Sequence, residues 1–305
     1  MSAAAIIAAG IDLGGTKIEG QVFDASWSRV ESLRVATPRD YLSLVKALAD
    51  MVAWAEGFAP GLPVGIAAAG LVHPVTGIAL TANLSATGKP FPADIARAAG
   101  RAVTYVNDCR AQALSEARFG AARGYRTALT LNLGTGLAGG IVVNGQLMQG
   151  PSGTGGEFGH FALPAHLVHA HDLPILACGC GRVGCTETLI AGPGLSRLLQ
   201  HRTGRSLRAE DIVAGRALDQ DLGDVWGLWL QLTAELIHTL VMVADPGCVV
   251  LAGGLSRAPG LVEELTDALT AVALPGYGAP PILLAEGGDT TGARGAALAA
   301  MGSPA

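Results

Sequence analysis

The sequence predicts an α/β protein of two lobes, and three observations carry that expectation. Its 305 residues exceed what one hydrophobic core usually serves, since single cores stop growing near roughly 250 to 300 residues. Hydrophobic residues make up 50% of the chain and charged residues 15%, which supplies apolar side chain for two interiors and argues against disorder. A strand, a glycine-rich turn and a second strand occur twice, in IIAAGIDLGGTKIEGQVFD from Ile6 and in TALTLNLGTGLAGGIVVNGQLMQG from Thr127. Such self-similarity marks a duplicated unit, one copy per lobe.

The elements follow in order. MSAAAIIAAGIDLGG is apolar, but no positive charge precedes Lys17 and Asp12 interrupts it, so it reads as a first strand rather than a leader or a membrane span. YLSLVKALADMVAWAEGF puts Leu44, Leu48, Met51, Val52 and Ala55 on one helical face. LPVGIAAAGLV reads as one buried strand, AVTYVND as another ending in polar residues, and RAQALSEARFGAA as a helix, with the first lobe closing near Gly120. VWGLWLQLTAELIHTLVMVADP is a long apolar helix stopped at Pro246, CVVLAGGLS a strand broken by Gly253 and Gly254, and GLVEELTDALTAV and TTGARGAALAAM closing helices. The expected lobes are 1–119 and 120–290. Glycine-rich turns at strand ends are where α/β sheets commonly bind ligands.

Twenty Lys plus Arg against 25 Asp plus Glu give a net charge of −5 with no basic block. A phosphate-backbone partner is therefore not expected, and neither is a membrane; a small molecule is. Of five cysteines, three crowd into Cys178, Cys180 and Cys185, which suits metal binding in a reducing compartment, the cytoplasm, better than disulfides. Three thiolates and one upstream histidine complete a closed, structural zinc shell, and His160, His166, His169 and His171 all lie upstream. Cys109 and Cys248 adjoin apolar strands and read as core. Trp226 and Trp229 read as core or dimer interface.

GTGLAG, from Gly134 to Gly139, fits G-x-G-x-x-G, but the strand IVVNG follows where a dinucleotide site needs a helix, and no G-x-x-x-x-G-K-[ST] occurs. What remains are two tight turns, DLGGTK and NLGTG, whose backbone amides can close on an anion. Equally, a hairpin turn can ask for glycine at positive φ with no ligand at all. Asp12 before the first turn, placed to hold magnesium through water, Lys17 after it, and the Gly253–Gly254 pair favour a triphosphate.

GIDLGGTK, VNDCRAQALSE, NLGTGLAGG, GEFGH, CGCGRVGCTE and VVLAGGLS, in this order and spacing, resemble the ROK family of sugar kinases and related repressors over nearly the whole chain. The resemblance implies the actin-like ATPase fold: two ribonuclease-H-like lobes with ATP and sugar in the cleft between them, and a C-terminal helix, 291–305, packed back on the first lobe. It implies ATP contacts from Gly10, Asp12, Gly14, Gly15, Thr16 and Lys17, from Gly134, Thr135, Gly136, Gly139 and Gly140, and from Gly253 and Gly254. It implies Asp108 as catalytic base and Asn83, Asn107, Asp108, Glu157, His160 and Glu187 as sugar ligands. Among the histidines it selects His160 to complete the zinc shell of Cys178, Cys180 and Cys185, with its second ring nitrogen left for the sugar.

Read without that resemblance, Asn107–Asp108 between a strand and a helix is first a helix N-cap, and Glu157 and Glu187 are surface charges. Phosphoryl transfer needs charge neutralisation, an in-line hydroxyl and an acceptor for its proton, for which one carboxylate suffices. Two departures stand out: seventeen residues separate His160 from Cys178, and Ala138 stands where the family more often has glycine, which costs little if its φ is negative. Within the family, ATPRD, NLSATGKPFPADI and LPAHLVHAHDLPILACGCG point to N-acetyl-D-glucosamine phosphorylated at O6, with glucose or fructose as the alternative. The family's repressors carry an added N-terminal helix-turn-helix, whereas here the first hairpin begins near Ile6. An enzyme is expected, and the family commonly forms homodimers.

Overall fold

The structure, a computed structural model, describes residues 5–81, 83–288 and 291–302. The chain divides into two compact units, one of Met1–Arg123, Val142–Gly155 and Glu286–Ala305, the other of Gly124–Ile141 and Gly156–Ala285.

The first unit is built on β1 (Ile6–Leu13), β2 (Lys17–Asp24), β3 (Arg29–Ala36), β4 (Val64–Ala68) and β7 (Thr104–Asn107), in the sheet order β3-β2-β1-β4-β7. The β1–β2 and β2–β3 pairs are antiparallel, while β1–β4 and β4–β7 are parallel. The stretch expected to be a single strand over 62–72 is two: β4 stops at Ala68, and β5 (Leu71–Val72) pairs separately with β6 (Ala79–Leu80). The break falls at Gly70, whose φ of +102° is closed to residues with a side chain.

Around this sheet lie α1 (Tyr41–Glu56), α2 (Phe91–Ala99), α3 (Asp108–Phe119) and α10 (Thr291–Ala300). Asp40 caps α1 by accepting from the Ser43 amide at 2.9 Å, and the five α1 residues singled out by spacing are all buried. They share a core with Ala9, Ile11 and Leu13 of β1. Alternation along a strand then sends Gly10 and Asp12 to the opposite face, and α10 lies there. Gly10 and Gly65 are cross-strand partners, and a Cβ on either would overlap a backbone carbonyl of α10, at Ala293 or Ala296. Two glycines side by side thus form the seat of the helix.

The second unit repeats the plan. Strands β8 (Thr127–Leu133), β9 (Leu137–Val143), β10 (Gln146–Leu147), β11 (Cys248–Ala252) and β12 (Ile282–Leu284) run in the order β10-β9-β8-β11-β12, with β8, β11 and β12 parallel; β10 and the end of β9 fall in the Val142–Gly155 segment counted with the first unit. Helices α4 (Ala165–His171), α5 (Glu187–Ile190), α6 (Gly192–Thr203), α7 (Ala209–Gly215), α8 (Gln220–Ala244) and α9 (Leu261–Val272) complete the set. By length and composition α8 is apolar enough to span a membrane, yet Leu222, Val225, Trp229, Leu232 and Leu236 are buried in the unit. It starts before the expected Val225, because Asp219 caps it through the Leu222 amide, and it ends at Asp245 in the left-handed region. Trp226 and Trp229 stack at 4.6 Å, their ring N–H groups donating to Glu264 and to the Ile190 carbonyl, which makes them core. Cys248 is fully buried, whereas Cys109 is only partly so.

Candidate active site and metal centre

In the first unit the parallel strands deliver their C-terminal ends to one edge, with Asp12 beside Ala67 and Ala68 beside Asn107. The β1–β2 turn closes there by a 2.9 Å bond from the Gly14 amide to the Lys17 carbonyl, and Thr37 braces it by donating to the Gly14 carbonyl at 2.7 Å. Neither Gly14 nor Gly15 has positive φ, so their conformation does not demand glycine. What they lack is bulk: Gly15, Thr16 and Lys17 are exposed, leaving the turn open to an approaching group. Asp12 is half-buried beneath the first turn of α10, where a Cβ on Gly292 would come within 2.8 Å of its carboxylate. Gly10, grouped above with the nucleotide contacts, lies apart from them as a buried seat for α10.

The cross-strand partner of Asp12 is Glu19, a buried residue the sequence reading passed over. Burial pushes its carboxyl up, but hydrogen bonds from Gln21 and Arg34 and the charges of Arg34 and Lys17 outweigh that and hold it below its ordinary value. Arg34 reaches it with two bonds at 2.6 and 3.0 Å, and Lys17 at 3.5 Å.

Asn107 and Asp108 stand where β7 passes into α3. Asn107 is a helix cap, accepting from the Cys109 and Arg110 amides at 3.0 and 3.2 Å, while its own amide donates to the Gly70 carbonyl at 3.2 Å. The cap occupies Oδ1 of Asn107 and leaves Asp108 half-exposed, with one carboxylate oxygen accepting from the Cys109 amide at 2.8 Å. The N-cap reading of the pair thus holds for Asn107, and Asp108 keeps an accessible carboxylate. Asn83 is exposed near Gly15.

In the second unit the β8–β9 turn is Gly134–Thr135–Gly136, and neither glycine has positive φ. The Gly192 amide at the start of α6 donates to the Gly134 carbonyl at 2.8 Å. Gly253 does need to be glycine: its φ is +87° and a Cβ would strike Leu133 and the Asn132 side chain. Ala138 keeps negative φ, so it replaces glycine without strain. Gly139 and Gly140 are buried in β9, and a Cβ on Gly139 would meet the Thr130 carbonyl and Phe158; they serve packing rather than the turn. Gly134, Thr135, Gly192, Pro193, Gly254 and Arg257 line a cavity of about 630 Å³, within the usual size for small-ligand sites.

His160, Cys178, Cys180 and Cys185 converge, with one ligand atom of each lying within 4.8 Å of every other. Cys178 Sγ is 3.7 Å from His160 Nδ1, and Cys180 Sγ is 3.7 Å from Cys185 Sγ. Zinc–thiolate bonds of ~2.3 Å put the corners of a tetrahedron ~3.8 Å apart, so the donor set fits a tetrahedral ion in both chemistry and spacing. Burial pushes the Cys178 thiol up and, with its two sulfur neighbours, pushes Cys185 to about 12. Cys180 is also raised by desolvation, but the Arg182 amide and the neighbouring thiols bring it below its ordinary value.

The rival histidines stand elsewhere. The insertion folds into α4 rather than an open loop, and His166 pairs with Glu235 at 3.2 Å. The other ring nitrogen of His160, Nε2, lies 3.8 Å from Glu157. Glu187 touches both neighbourhoods: one oxygen accepts from the Leu137 amide of β9 at 2.9 Å, the other faces Cys178 Sγ at 3.8 Å. The cluster of His160 and the three cysteines therefore lies against Glu157 and Glu187.

Two sheets of one plan, each with a glycine-rich hairpin at the C-terminal end of its first strand, define the actin-like ATPase fold. The fold matches a ROK hexokinase from Thermus thermophilus with a TM-score of 0.84 and 33% identity, covering 95% of this chain and 96% of that one. It matches a ROK glucokinase from Streptomyces griseus, solved with glucose and AMPPNP, with a TM-score of 0.75 and 27% identity over 95% and 98% of the two chains. Residues 8–302 match the ROK family, and the chain belongs to it. Among curated relatives, an N-acetyl-D-glucosamine kinase of Yersinia pseudotuberculosis is 39% identical over 95% of this chain and 97% of its own. An N-acetylgalactosamine kinase, AgaK, of Shewanella is 36% identical over 96% of each.

Proposed function

We propose that this protein phosphorylates N-acetyl-D-glucosamine at O6 with ATP, releasing ADP. The observation that carries this is Asp108: an accessible carboxylate at the ligand-facing edge of the first sheet, fixed by the Cys109 amide and freed from capping by Asn107. In the reaction it takes the proton of the sugar hydroxyl as that oxygen attacks the γ-phosphorus. The bond to the β–γ bridging oxygen breaks, and its electron pair leaves with ADP. The amides of the turns at Gly14–Thr16 and Gly134–Gly136 hold the phosphates, and the cavity beside Gly254 takes the nucleoside. Asp12 would hold magnesium, whose charge would neutralise that of the phosphates.

Sugar hydroxyls are held by Asn83, Asn107, Glu157, His160 and Glu187, and Cys178, Cys180, Cys185 and His160 would hold a structural zinc that would keep the last three in register. The names of the 39% and 36% identical relatives support an N-acetylhexosamine over an unsubstituted sugar. A cytoplasmic setting and a homodimer belong to the same reading. A panel of hexoses and N-acetylhexosamines supplied with ATP and magnesium, followed by ADP release, tests it. N-acetyl-D-glucosamine should give the highest kcat/KM, and no sugar-dependent ADP at all would refute the reading.

A further inference from the structure

A second, smaller cavity lies in the first unit beside the Asn107 cap, and the sequence reading did not foresee it. Its volume is about 120 Å³, room for about four water-sized groups at ~30 Å³ each. Leu71, Val72 and Met148 contribute apolar lining, and Tyr105, Asn107 and Arg110 contribute polar side chains. Tyr105 is wedged edge-on against Phe91, their ring centres 6.0 Å apart. Its hydroxyl is buried and has no hydrogen-bond partner among the described residues, a state that ordinarily costs stability unless something completes it. Desolvation, then the charge of Asp108, pushes that phenol well above its ordinary range, so at neutral pH it is a donor seeking an acceptor.

An acylamino group has what this space lacks. It brings four non-hydrogen atoms, a carbonyl oxygen to accept from a phenol or a guanidinium, and a methyl to meet apolar lining. A bare hydroxyl would leave most of the volume to water. We propose that this cavity receives the N-acyl substituent of the sugar, with Tyr105 donating to its carbonyl and Val72, Leu71 and Met148 enclosing its methyl. The inference rests on the sugar-kinase reading above, since it supposes a hexose presented to Asp108, the residue after the Asn107 that lines the cavity. Selection for N-acetylhexosamines over glucose then lies in the first unit, at residues that contribute nothing to phosphoryl transfer.

The test separates binding from turnover. Calorimetric Kd values for N-acetyl-D-glucosamine and glucose, and kcat/KM for both, are measured on wild type, Tyr105→Phe and Val72→Phe. Tyr105→Phe keeps the ring and its packing; its Kd for N-acetyl-D-glucosamine should rise about tenfold, one neutral hydrogen bond, with the glucose Kd within twofold. Val72→Phe fills the space and should lower the N-acetylglucosamine-to-glucose ratio of kcat/KM by tenfold or more. If wild type phosphorylates N-acetyl-D-glucosamine but neither variant changes the ratio of the two Kd values, the cavity assignment is overturned. If the Kd ratios shift as expected while no sugar is phosphorylated, the cavity stands and the kinase reading falls. If wild type binds neither sugar, both fall.

Discussion

Replacing Glu116 should unsettle the first unit out of proportion to a single side chain on α3. It is fully buried. Its two oxygens accept from the Ala121 amide at 3.0 Å, the Glu286 amide at 3.1 Å and the Gly287 amide at 2.8 Å. Those amides belong to the segments by which the chain leaves the unit after Arg123 and re-enters it at Glu286. The fit is close, since a Cβ on Gly120 or Gly287 would run into the carboxylate. Nearby, Arg294 lends its charge while donating to Ser115 at 3.0 Å and lying over Phe119. In Glu116→Gln one acceptor oxygen becomes an amino group facing an N–H, so at least one charge-assisted bond is lost, worth roughly 1.5–3 kcal/mol. Glu116→Ala strands all three amides at about 1–3 kcal/mol each before any water enters. Taking about 2–4 °C per kcal/mol for a chain of this size, the glutamine variant should melt about 3–12 °C below wild type and the alanine variant lower still. Circular dichroism melts of both variants make the measurement. Melting points within about 1 °C of wild type for both would show that the three amides are satisfied some other way.

Other expectations follow from single contacts. Because Glu19 is held below its ordinary value of 4.5, its stabilisation is present above that pH and lost as pH falls through the lower folded value. The melting-point gap between wild type and Glu19→Gln should therefore be widest near neutrality and shrink in acid, whereas a gap independent of pH would contradict the assignment. Gly10→Ala should cost about 1–3 kcal/mol by forcing α10 off its seat, and an unchanged urea midpoint would remove that role. Elemental analysis of the purified protein should find one zinc per chain. Cys180→Ser and His160→Ala should each fall well short of that, and a full equivalent in His160→Ala would take the histidine out of the shell.

Much of the site could be read from the sequence because its chemistry is local in the chain. Cys178, Cys180 and Cys185 fall within one turn-rich stretch that spacing marks as metal-binding, while the choice of His160 among the upstream histidines came from the family resemblance. The duplicated hairpins were legible for the same reason, and they became sheets of identical strand order. The reason given for the glycines was less secure. Positive φ at the turns was weighed as the plain explanation, yet it occurs at Gly70 and Gly253 and not at Gly14, Gly15, Gly134 or Gly136. Gly10 and Gly139 lie within the same motifs but face a helix and a neighbouring strand, a distinction that depends on partners remote in sequence. Glu116 was invisible for that reason, since its acceptors' partners lie at 121 and again at 286–287. The Tyr105 cavity needs residues from β5, β7 and the segment after β10 together, and no periodicity announces such a space.

The role of Asp108 is most directly tested by product analysis on wild type and Asp108→Asn, each first shown by calorimetry to bind ATP and sugar. Phosphorus and carbon NMR of a reaction with N-acetyl-D-glucosamine should show phosphate on O6 from the wild type and none above background from the variant. Phosphate on another oxygen, or turnover by Asp108→Asn at a rate near that of the wild type, would contradict the assignment of Asp108 as the group that accepts the hydroxyl proton.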